Sequence, residues 1–211
     1  MKKLESSLVN MVLVLVAVAL ITGGLLAWVN HITEGPIAAQ QDKALADGIK
    51  TVMGGKDLTV TANDTIRQEN NGKETIYVVH KTADKSQQPL GAAVETTTNG
   101  FGGDLKVLVG FSPEGDILGY TILQHSETPG LGAKADKWFQ KGAKGDIIGK
   151  NPNKNNLTVS KDGGEVDAIT ASTITSRAFL GAITQAYKAY SGQQVDGNSG
   201  ASKQIKKGGN S

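Results

Sequence analysis

The run from Leu8 to Val29 limits most strictly what this chain can become. It holds no charged residue, and Asn10 and Thr22 are its main polar exceptions. A helix rises 1.5 Å per residue, so about 22 residues span about 33 Å, enough to cross the hydrocarbon core of a bilayer. A cleaved signal peptide shares the basic start and the apolar stretch. Against it, the run is longer than a signal h-region, and Gly23-Gly24 leads into further apolar residues instead of a small-x-small cleavage site. The expectation is an uncleaved transmembrane helix over residues 8–29. Lys2 and Lys3 precede it, whereas His31 to Gly35 carry Glu34 and no lysine. The positive-inside rule then places residues 1–7 in the cytoplasm and everything after the helix outside, with Trp28 at the outer interface. Membrane lipid is thus the first expected partner.

Beyond the anchor the pattern is that of a folded domain. Pro36 suits the first position of a second helix running to about Met53, with Ile37, Leu45, Ile49 and Val52 as one apolar stripe and Gly54-Gly55 as its stop. Strand-like segments follow at 58–61, 75–81 and 91–97, with Asn70-Asn71-Gly72-Lys73 as a turn between two of them. Asp104–Phe111 and Asp116–Leu123 make a hairpin around Ser112-Pro113-Glu114-Gly115, because Pro and Gly fit the successive dihedrals of such a turn. A short helix is expected over 133–141. Two helices flanking a largely antiparallel sheet give an α+β fold. From residue 191 onward Gly, Ser, Asn, Gln and Lys dominate, so a disordered tail is expected, with Lys203, Lys206 and Lys207 solvated.

Composition removes several chemistries. Charged residues make up 20% of the chain and the net charge is +2, which gives no electrostatic case for nucleic acid. There is no cysteine, hence no disulfide, thiolate metal site, iron–sulfur ligation or cysteine nucleophile. The three histidines, His31, His80 and His125, are scattered, so no metal site is expected.

Two stretches carry chemistry. In the first, Asp167 to Ala178, the hydroxyls of Thr170, Ser172, Thr173, Thr175 and Ser176 crowd the start of a helix whose Ala178, Phe179, Ile183, Ala186 and Tyr190 recur at helical spacing. The first N–H groups of a helix lack intrahelical partners and lie at the positive end of its dipole, so such a start suits a phosphate. A Ser/Thr cap on a buried helix explains the same residues. On a helix Thr175 lies roughly 40° from Phe179 and so points to the core, whereas Thr173 lies roughly 120° away, on the flank, behind a Thr170 N-cap. The second stretch is His125 to Gly132, H-S-E-T-P-G-L-G. Pro129 fixes φ near −65° and Gly130 can take φ > 0, so a tight turn with available backbone polar groups is expected. His125, ending a strand, reads as structural.

Together these stretches resemble the covalent FMN-binding domain of membrane respiratory complexes, over about residues 90–190. The attachment pattern D-x-x-[ST]-G-A-[ST] falls on Asp167, Thr170 and Thr173, with the pattern's Gly-Ala pair replaced by Ala171-Ser172. By size and layout the chain is similar to G subunits of Rnf electron-transport complexes. The C subunits of sodium-pumping quinone reductases share the domain and stay open as an alternative, as does an anchored ligand-binding or assembly module with no flavin. The resemblance implies FMN esterified to Thr173, with Thr170, Ala171 and Ser172 around the phosphate and Glu127, Thr128, Leu131 and Gly132 against the ring. Gly100, Phe101, Gly102 and Gly103 resemble the family's aromatic-glycine turn, either a backbone approach to the cofactor or only a flexible turn. It further implies a flavin transferase that takes FAD as donor and recognises Asp167, the other Rnf subunits as partners, and a role as electron-relay subunit of an ion-translocating ferredoxin:NAD oxidoreductase. One uncharged membrane span offers no ion path of its own.

Overall fold

A computed structural model describes residues 8–55, 57–70 and 73–193 of the chain. Lys2, Lys3, the turn residues Asn71 and Gly72, and the tail beyond residue 193 lie outside the described residues. The chain divides into two units, the first ending at Leu45 and the second starting at Ala46.

The first unit belongs to helix α1 (Leu8–Val52), which is long and apolar enough to cross a membrane. Its large apolar residues from Leu8 to Ile37, Trp28 included, are exposed. The expectation of a separate helix starting at Pro36 is corrected here: Pro36 lies inside α1. An interior proline forfeits one helical hydrogen bond and disfavours the α region for the residue before it, largely through that residue's Cβ. That residue is Gly35, which has no Cβ, and helix-forming sequence continues on both sides.

The second unit is built on one antiparallel sheet in sequential order, β1 (Thr59–Asn70), β2 (Lys73–Ala83), β3 (Pro89–Asn99), β4 (Asp104–Phe111) and β5 (Ile117–His125). Helices α2 (Ala135–Trp138) and α3 (Thr173–Ser191) follow. The expected helix over 133–141 is therefore shorter, a 3-10 turn at Gly132–Lys134 and a single α-turn. The strand at 58–61 extends instead to Asn70. Its polar sequence lacks apolar alternation, and what holds it is pairing with β2, including the cross-strand pairs Asp64–Lys81 (2.7 Å) and Arg67–Glu74 (3.4 Å). At the edge of a sheet that polarity also discourages association.

β4 is buried on both faces. Leu105, Val107, Val109 and Phe111 face a core shared with Ile117, Tyr120, Phe139, Ile169, Phe179 and Ile183. Phe179 of α3 stacks on Phe139 at 4.5 Å and meets the Tyr120 ring edge-on at 4.8 Å, and burying a side chain of that size contributes about 2–3 kcal/mol. Burial pushes the Tyr120 phenol well above its ordinary range; its hydroxyl donates to the Ala135 carbonyl (2.6 Å) and accepts from the Phe139 N–H (3.2 Å). On the other face the last turns of α1 lie over β4 and β5. A Cβ on Gly110 would meet the Val52 carbonyl carbon at 2.8 Å, and one on Gly48 would meet Leu108 at 3.0 Å. These glycines let helix and sheet approach. Gly54 and Gly55, both at positive φ, then end the helix with N–H bonds to the Thr51 and Lys50 carbonyls.

One buried group in β2 titrates. The His80 Nδ1 lies 2.8 Å from Asn63 Oδ1, and its buried Nε2 has no partner among the described residues. Burial lowers its pKa, partly offset by Glu95. A group whose folded pKa is depressed below 6.5 binds fewer protons folded than unfolded, so stability is lost as pH falls through 6.5 toward the folded value. Denaturant titrations of the detergent-solubilised protein between pH 7.5 and pH 5 should show a decline of at most about 1.4 kcal/mol per pH unit from this one group, and His80→Leu should flatten it. An unchanged slope in His80→Leu would assign the acid sensitivity elsewhere.

Candidate functional site: the start of α3

Local bonding shapes the loop before α3. The Ile169 N–H donates to Ser176 Oγ (2.9 Å), the Ser176 hydroxyl donates to the Ser172 carbonyl (2.9 Å), and the Ser172 N–H donates to the Ile169 carbonyl (3.0 Å). Ser176 is fully buried, so the loop is knotted onto the helix from inside. Upstream, Trp138 Nε1 donates to the Asp167 carbonyl at 2.8 Å, and the Asp167 carboxylate accepts from Ser160 Oγ at 3.3 Å. Ala171 has φ +60°. For a residue with a Cβ this is an uncommon, mildly strained conformation that glycine adopts freely, which explains physically why a pattern with Gly at this place fits the same loop.

The N-cap residue is Ser172, not Thr170 as expected; Thr170 is exposed. The reason is the tight Ile169–Ser172 turn, which delays the first helical residue to Thr173. No side chain caps this end, and the first helical bond is Ser176 N–H to the Ser172 carbonyl. The N–H groups of the first turn are therefore left to a ligand or water. Thr173 is half-buried beside them, whereas Thr175 is fully buried and donates to Glu127 Oε2 at 2.8 Å.

Glu127 connects three segments. Its Oε1 accepts from the Phe101 N–H (2.7 Å) and the Gly102 N–H (3.3 Å), while Oε2 accepts from Thr175. A Cβ on Gly100 or Gly132 would collide with that carboxylate. The aromatic-glycine turn, the 128–132 turn and the first turn of α3 thus converge on one buried side chain. Phe101 itself projects into solvent, 69% exposed.

This arrangement meets a clear set of likenesses. A family model described as the FMN-binding domain matches residues 100–188, and one described as the RnfG N-terminal region matches residues 1–52. The chain is 32% identical over 186 residues to the G subunit of the ion-translocating oxidoreductase complex of Shewanella baltica, covering 84% of this chain and 86% of that one. It is 34% identical over 183 residues to the protein of the same name from Yersinia pestis, covering 77% and 80%, and 34% over 167 residues to that from Haemophilus influenzae, covering 76% and 77%. The chain belongs to the family of G subunits of ion-translocating oxidoreductase complexes.

In this member of the family the 128–131 turn has the expected form. Gly130 takes φ +77° and the Leu131 N–H donates to the Thr128 carbonyl at 3.1 Å. The Thr128 carbonyl also receives the Ala133 N–H (3.3 Å). Leu131 is 41% exposed and Ile174, beside Thr173, 40% exposed, whereas Gly132 is buried against Glu127 and Thr175. His125 is structural: its Nδ1 accepts the Glu127 N–H at 3.2 Å and its Nε2 lies 3.7 Å from Asp136.

A cleft of about 580 Å³ adjoins the turn, lined by Pro129, Gly130, Ala133 and Trp138 and edged by Lys134, Lys137 and Lys144. Thr173 does not line it. No group of His, Asp or Glu suited to a metal occurs among the described residues. Sequence reasoning missed two features. One is the Arg177–Asp162 pair (2.6 and 3.0 Å), which ties α3 to the 160–162 turn. The other is the inward role of Glu127, which no spacing rule reveals because its partners are backbone groups 26 and 25 residues upstream and a hydroxyl 48 residues downstream.

Proposed function

We propose that this protein is the membrane-anchored electron-relay subunit of an Rnf-type ion-translocating oxidoreductase, carrying FMN esterified through its phosphate to Thr173 Oγ1. The observation that carries this reading is the uncapped first turn of α3 with the half-buried Thr173 hydroxyl inside it, in a chain whose relatives are named as G subunits of such complexes and whose residues 100–188 match an FMN-binding domain. The donor set suits the group: a phosphodiester anion gains from unpaired helix N–H groups and the positive end of the helix dipole. When bound, FMN supplies electron acceptance and donation, so the chain needs no acid–base residue of its own.

The residues then have distinct tasks. Thr173 Oγ1 forms the new bond to phosphorus while the pyrophosphate P–O bond of an FAD donor breaks; the hydroxyl proton is lost and AMP leaves with the bond's electron pair. Asp167, exposed in the segment before the acceptor, serves recognition by the transferase. Thr170, Ala171 and Ser172 shape the loop at the phosphate. Thr128 and Leu131 meet the ring, Leu131 with its exposed side chain, and Gly132 lets the turn pack against Glu127. Covalent attachment suits a domain outside the cytoplasm, where dissociated FMN would be diluted away by mass action.

The N-terminus lies in the cytoplasm and residues after the anchor lie outside, on the strength of Lys2 and Lys3. The other subunits of the complex are its partners. Intact mass spectrometry of the protein from native membranes should show one FMN added with loss of water, mapping to the Thr173 peptide. A reporter active only outside the cytoplasm should work when fused after Tyr190. Unmodified protein would refute the covalent reading, and a reporter active only in the cytoplasm would refute the orientation.

A further inference from the structure

We infer that Glu127 is a positioning residue whose buried negative charge lowers the midpoint potential of the neighbouring flavin, an inference that rests on the proposal of FMN at Thr173. Glu127 is 6% exposed, and every partner of its carboxylate brings a donor: the Phe101 and Gly102 N–H groups on Oε1 and the Thr175 hydroxyl on Oε2. Both oxygens accept, which is the hydrogen-bond inventory of the ionised carboxylate, and such charge-assisted bonds are the stronger kind. No lysine, arginine or histidine forms an ion pair with it among the described residues. The charge is therefore stabilised by dipoles and not neutralised by a cation, and in a site screened little by water its field extends to its neighbours.

Its neighbours are the two segments assigned to the flavin. Glu127 directly precedes the 128–132 turn, and it is bonded to Thr175, two positions beyond Thr173 on α3. A fixed negative charge makes electron uptake by an adjacent group less favourable, so the flavin is held a better reductant than it would be beside a neutral residue. Gly100 and Gly132 belong to the same device, because a side chain at either would push the carboxylate out of place.

Two nearly isosteric variants separate charge from scaffolding. Glu127→Gln removes the charge and keeps an acceptor for Phe101; Thr175→Val keeps the charge and removes one of its three donors. The measurements are in-gel flavin fluorescence for attachment, redox titration for potential and thermal unfolding for stability. The expected results are an upward shift of the flavin potential in Glu127→Gln and a downward shift in Thr175→Val, while both lose stability. A residue that only fastens the loops would give shifts of the same sign in the two variants, or none, and either outcome overturns the inference. If Glu127→Gln fails to accumulate, the sign in Thr175→Val decides by itself: no shift or an upward one rejects the role. A parent protein without attached flavin would instead remove the functional proposal on which this stands.

Discussion

Thr173→Val should abolish flavin fluorescence on a denaturing gel while the protein still accumulates at close to parental levels. Valine matches threonine in shape and branching, and Thr173 is half-buried on the flank of α3 with no side-chain capping role at that helix end, so the fold should lose little. What disappears is the oxygen proposed above to form the ester. Thr175→Val is the informative control. Its hydroxyl is wholly buried and bonded to Glu127, out of reach of a modifying enzyme. Its loss should cost about 1–3 kcal/mol, since a charged acceptor is left short of a donor, yet the fluorescence should survive. Fluorescence that persists in Thr173→Val and vanishes in Thr175→Val would move the attachment site to Thr175.

The largest purely structural effect is expected at Gly91. It combines φ +115° with a backbone approach so close that an added Cβ would collide with the Phe111 carbonyl oxygen and lie 3.0 Å from its carbon. Neither atom belongs to a flexible side chain that could swing away. Relief requires parting β3 from β4 at the Ala92–Phe111 pair, and Phe111 is the residue on which Tyr187 and Tyr190 of α3 pack at 5.7 and 5.5 Å. Gly91→Ala should therefore destabilise the domain by about 3 kcal/mol or more, overpacking and backbone strain acting together. A thermal unfolding midpoint indistinguishable from the parent's would show that the sheet can absorb the side chain.

Some of this protein is dictated by local order along the chain. The uncharged run from Leu8 to Val29 reads from its own length and composition as a helix that can cross a bilayer, and the protein forms a helix there and leaves those side chains uncovered. The β4–β5 hairpin was equally legible: Pro113 and Gly115 fix the turn, Gly115 at φ +87° donating its N–H to the Ser112 carbonyl at 2.9 Å. So was the inward aim of Thr175 against the flank position of Thr173, since helical periodicity sets side-chain direction before any neighbour is known. Other features needed the folded chain. β1 forms beyond Thr61 because β2 lies beside it, and a pairing partner is not a property of the polar sequence itself. Pro36 remains within α1 because Gly35 removes the steric objection, a two-residue balance that a proline rule overlooks. Ser172 displaces Thr170 as N-cap because Ser176, four residues later and buried, draws the loop in. Glu127 gains its place from Phe101, Gly102 and Thr175, which are brought together only when the sheet and α3 close on each other. Periodicity and turn chemistry act over a few residues and can be read from the chain, whereas the convergence of distant polar groups on one buried carboxylate is decided by packing.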